Sequence, residues 1–102
     1  QPLLAALTDA QQVRVSLMDT DIIITDSESI AQLRQFLESQ PSQVVADVSK
    51  ADEIGTIELV PDAGLDVSIT EDYRIVYTDG AQSYSIQPDA VALEDALHKL
   101  SQ

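Results

Sequence analysis

His98 is the one imidazole of the chain, and Glu94 and Asp95 precede it by four and three residues. On a helix, that spacing brings a carboxylate beside the ring. Asp-x-x-His is half of a carboxylate–histidine metal site, but such a site draws further ligands from other helices, and no second half stands in the sequence. The plain reading is an exposed histidine at a helix end. The densest acidic group is Asp19 and Asp21, with Asp26 and Glu28 beyond. Calcium takes oxygen ligands spaced along a flexible loop, and Asp-x-Asp is one way for such a loop to begin. Ile22-Ile23-Ile24 follows where more oxygens and a glycine would be wanted, so a solvated turn competes with a metal site at Asp19 and Asp21.

Tyr73, Tyr77 and Tyr84 fall at alternating positions around a hairpin signal, Asp79-Gly80. On one face of a hairpin they form either ordinary packing or a platform for a protein or peptide partner. Asp62, Asp66, Glu71, Asp72 and Asp79 sit in or beside turns, where aspartate gathers for backbone reasons alone. The chain has no Gly-x-Ser-x-Gly elbow, no glycine-rich phosphate loop and no His-Glu-x-x-His. With no cysteine, disulfides, zinc–thiolate sites and thiol catalysis are excluded. No catalytic residue and no cofactor is therefore assigned, and the expectation is that the protein is not an enzyme.

Eighteen acidic against five basic side chains give a formal net charge of −13. Such a field repels nucleic acid and anionic membrane surfaces, both of which are recognised through Lys and Arg. It suits cations, basic partner surfaces, solubility, or a salt-rich host. No apolar run approaches the roughly 20 residues of a membrane helix. The length of 102 residues fits one domain, able to bury about two thirds of its unfolded surface in one core.

The elements that must position these residues follow from hydrophobic period. Residues 1–10 form a lead-in, helical or irregular, with Leu3, Leu4 and Leu7 at helical spacing. Val13, Val15 and Leu17 alternate with Arg14, Ser16 and Met18, Asp19-Thr20-Asp21 is read as a turn, and residues 22–25 return as a strand. At Asp26 or Ser27 the period changes: Ile30, Leu33, Phe36 and Leu37 lie on one helical face, and Pro41 stops the helix. Residues 41–53 show no clean period and are read as a mobile loop, the place for insertion or partner contact. A meander follows: 54–60, then Leu65, Val67 and Ile69, then Tyr73, Ile75 and Tyr77, then Tyr84 and Ile86. Pro88 opens a last helix with Ala90, Leu93, Leu97 and Leu100 inward. The order β-β-α-β-β-β-β-α predicts an α+β two-layer sandwich, an antiparallel sheet with two helices on one face.

Val13-Arg14-Val15, then Ile22-Ile23-Ile24-Thr25-Asp26 leading into Ile30, Leu33 and Leu37, and the closing 75–80 and 84–86 before Leu93 and Leu97 carry a resemblance. This ordering resembles a loose group of small extracytoplasmic domains of Gram-positive bacteria, often borne on lipoproteins and mostly of unassigned function. The resemblance implies a domain tethered outside the membrane by a segment upstream of Gln1. It carries over no functional residue, and the cysteine of a lipid anchor is absent from these residues.

The leading expectation is a non-catalytic interaction or accessory module, extracytoplasmic, binding a protein, peptide or wall-associated partner. The alternative is a divalent-cation-responsive domain in which carboxylates near Asp19 and Asp21 gather calcium; a small hydrolase using His98 stands third. One thermal melt separates the first two. Sodium chloride is expected to raise the midpoint by screening self-repulsion. A further saturable rise in calcium at matched ionic strength, about 2.7 kcal/mol at a hundredfold excess over Kd, is the mark of a specific site.

Overall fold

The computed structural model describes residues 2–18, 20–46, 53–62 and 64–100. These form three helices and seven strands: α1 (Pro2–Asp9), β1 (Gln12–Leu17), β2 (Thr20–Ile24), α2 (Ser27–Glu38), β3 (Ser42–Val45), β4 (Glu53–Val60), β5 (Asp66–Thr70), β6 (Ile75–Thr78), β7 (Ser83–Ile86) and α3 (Ala90–Leu100). The strands make one sheet in the order β2-β1-β4-β5-β6-β7-β3, antiparallel at every pairing. The fold is the expected α+β sandwich, with one helix and one strand more than the hydrophobic period gave.

The strand-to-helix corner forms as its residue types dictate. β-Branched Ile22, Ile23 and Ile24 favour the pleated backbone of β2. Asp26 then caps α2, its carboxylate accepting from the Ser29 N–H at 2.9 Å. The far end closes at Ser39, whose N–H is shared among the carbonyls of Gln35, Phe36 and Leu37, two residues before Pro41.

Register decides what faces the helices. Val13 pairs with Ile24 and Leu59, Val15 with Ile22 and Ile57, Ile57 with Val67, Val67 with Tyr77, and Tyr77 with Tyr84. This apolar face joins Leu3 and Leu7 of α1, Ile30, Leu33 and Leu37 of α2, and Leu93 and Leu97 of α3 in one core. Tyr77 is fully buried there, stacked on Tyr84 with ring centroids 4.9 Å apart. Its burial pushes the phenol up to about 12, although the Leu3 backbone hydrogen-bonds it in the opposing sense. The other face carries a row of small residues in register, Ser16, Thr56, Ser68, Val76 and Ser85.

One open reading is decided and two expectations change. The lead-in is a helix of 8 residues, too short to persist alone, and it holds because Leu3 and Leu7 are buried and the helix packs on α2. Ser42–Val45, inside the stretch read as a mobile loop, is an edge strand paired with β7; three of its four residues are exposed, so no apolar period betrays it. Residues 47–52 of that stretch lie outside the described residues. Thr20 and Asp21, read as part of a turn, belong instead to β2, because Leu17 pairs directly with Thr20 and Ser16 with Asp21.

Gly55 is required by close approach. It pairs with Leu17 beside an irregularity in β4, and a Cβ built on it lies 2.2 Å from the Ser16 carbonyl oxygen. Backbone stands on both sides of the clash, so neither strand yields cheaply. Gly55→Ala is expected to lower stability by about 1–3 kcal/mol in urea unfolding. Val91→Ala, at a side chain 76% exposed, should stay within about 0.5 kcal/mol.

Candidate functional site

A groove of about 400 Å³ opens between the β1–β2 hairpin and α3, lined by Leu17, Met18, Thr20, Ile22, Tyr73, Glu94, Leu97 and His98. Three elements build it. The hairpin supplies Leu17, Met18, Thr20 and Ile22, the β5–β6 turn supplies Tyr73, and α3 supplies Glu94, Leu97 and His98.

Two of the rim residues have left-handed backbones without being glycine: Met18 at φ 52° and Tyr73 at φ 61°. At Met18 the cause is the tight link between Leu17 and Thr20, since hairpin turns of this length ask for positive φ and ordinarily take Asn or Gly. The Met18 N–H donates to the Ile54 carbonyl at 2.9 Å, which anchors the turn while the side chain stays 66% exposed. At Tyr73 the cause is a knot of bonds. The Thr70 N–H donates to the Arg74 carbonyl and the Tyr73 N–H to the Thr70 carbonyl, both at 2.9 Å. The Thr70 hydroxyl donates to the Asp72 carboxylate, which also faces Arg74 at 3.6 Å. Held this way, Tyr73 sends its phenol to Glu94 Oε1 at 2.6 Å, and that bond raises the phenol from its ordinary value.

α3 presents Glu94 and His98 one turn apart because its start is set by Asp89. Asp89 Oδ1 accepts from the N–H groups of Val91 at 2.9 Å and Ala92 at 3.3 Å. Leu93 and Leu97 are then buried, which turns Glu94 and His98 outward beside the groove. Asp95, three residues before His98, pairs with Lys99 at 3.2 Å.

The other residues singled out from sequence have separate places. Asp19 lies outside the described residues. Asp21 stands on β2, where Arg14 donates to Oδ2 at 2.7 Å and the Ser16 hydroxyl to Oδ1 at 2.5 Å. The Arg14 bond, then the Ser16 bond, hold its carboxyl below the usual carboxylate range. No group of three or more His, Cys, Asp or Glu among the described residues is placed to hold a metal ion. Asp26, Asp62 and Asp79 serve backbone turns: Asp62 accepts from the Gly64 N–H at 2.8 Å, and Asp79 from those of Ala81 and Gln82 at 2.9 and 2.8 Å. Tyr73 leaves the line of Tyr77 and Tyr84 because its positive φ breaks the alternation before β6 begins at Ile75. Tyr77 and Tyr84 belong to the core and its margin, with the Tyr84 hydroxyl donating to Gln82.

Met18, Thr20 and Ile22 are lining residues that hydrophobic period did not mark as a site. Neither Gly nor Asn stands at Met18 to signal the tight link by which Leu17 pairs with Thr20. No protein-family model matches the chain, and comparison with characterised proteins and with solved structures finds no match.

The groove can bind: it joins aliphatic walls to one carboxylate whose near donor is a neutral phenol. Its rim also holds backbone strain. Met18→Gly should therefore raise stability by about 1 kcal/mol, the cost of a left-handed non-glycine residue, measured by the urea midpoint at unchanged m.

Proposed function

We propose that this chain is a non-catalytic interaction module which takes a protein or peptide partner in the groove between the β1–β2 hairpin and α3. The observation that carries the reading is Met18. The single methionine of the chain stands 66% exposed at the groove's lip, on a backbone that another residue would hold with less strain. Methionine is flexible and polarizable, which suits contact surfaces, and strained residues persist where a site needs them. The concave shape and the mixture of apolar lining with a few polar groups support the same reading. An extracytoplasmic setting belongs to this proposal and rests on the resemblance in strand and helix order.

The test is selection of a random peptide library on the immobilised protein. Selected peptides are expected to lose at least tenfold in affinity with Met18→Glu and to keep it with Ile23→Glu, a change at a residue 57% exposed on the opposite face. Peptides indifferent to Met18→Glu, or no enrichment at all, would count against the groove; a turnover abolished by His98→Ala would end the non-catalytic reading.

A further inference from the structure

We infer that the partner group seated in the groove is an arginine side chain of a protein, an inference that rests on the groove being the partner site. Among the residues that line the groove, Glu94 is the one carboxylate, and His98 stands one helical turn from it. The Tyr73 phenol donates to Glu94 Oε1 at 2.6 Å, which orients the carboxylate toward the groove and leaves Oε2 to accept from a guest.

Shape agrees with charge. Leu17, Ile22 and Leu97 line the groove with aliphatic surface, and Met18 extends it at the lip. An arginine side chain lays its methylene stem along such a surface and keeps its guanidinium at the polar end. There it meets Glu94 for charge-assisted hydrogen bonds and the Tyr73 ring for a cation–π contact, which a planar guanidinium makes better than a compact ammonium. The net charge of −13 adds an attractive field for a basic segment during approach. The orientation of Glu94 by Tyr73 and the strained turn under Tyr73 hold this end of the groove before a partner arrives.

The experiment titrates the ¹⁵N-labelled protein with the blocked peptide acetyl-Gly-Arg-Leu-Gly-amide and with its twin carrying citrulline, which keeps the shape and loses the charge. The arginine peptide is expected to give saturable amide shifts at Leu17, Met18, Tyr73, Glu94 and Leu97, and the citrulline peptide to bind about tenfold more weakly. Glu94→Gln retains an acceptor for Tyr73 and should bring the arginine peptide down to the citrulline level. Equal binding of both peptides in the groove overturns arginine recognition and leaves the groove as partner site. Shifts spread over the acidic surface, or none from either peptide, also overturn the arginine inference, while the peptide selection decides the module reading by itself.

Discussion

The central strands of this sheet turn one apolar face to the helices, and the molecule depends on covering it. Side chains alternate along a strand, and pairing carries the alternation sideways from Val15 through Ile57 and Val67 to Tyr77 and Tyr84. A slip of one residue at any ladder would turn those groups outward. The helices answer this constraint with leucine and isoleucine, and Tyr77 ties the two layers by packing inside while its hydroxyl reaches the backbone at Leu3. Edge strands β2 and β3 end the sheet, and the α2 helix carries the chain from one to the other.

Part of the acidity of the chain serves local structure. Asp26 and Asp89 cap helices, Asp62 and Asp79 close turns, and Asp72 locks the turn beneath Tyr73. The caps and turns accept from backbone N–H groups at element ends, so these carboxylates contribute to folding even as their repulsion opposes it. A sequence with scattered turn aspartates thus gains order at its corners without forming a ligand cluster among the described residues.

The groove takes its character from two corners of the sheet rather than from the sheet itself. Met18 and Tyr73 occupy left-handed positions in turns at the ends of different strand pairs, and α3 closes the space between them. A rigid scaffold that displays binding residues on its turns is a common division of labour, because turns tolerate changes that a packed face does not. Here the turns are pinned by backbone bonds to Ile54, Thr70 and Arg74, which gives the rim a defined shape.

Much of the fold was legible in the residues alone. β-Branched runs, the aspartate before Ser27, the prolines at 41 and 88 and the glycine at 80 mark elements through local sterics and capping, and those forces act within a few residues. What stayed open or escaped was decided by partners distant in sequence. α1 is helical because α2 buries its leucines, β3 is a strand because β7 offers it hydrogen bonds, and neither reason is written in the segment itself. The site was legible only in part: Tyr73 and His98 drew notice as residue types, yet Tyr73 was placed with Tyr77 and Tyr84 because alternation cannot show a positive φ. That Tyr73 meets Glu94, 21 residues away, and that Met18 shares their groove, only tertiary packing decided, since the contact exists where three separate elements converge.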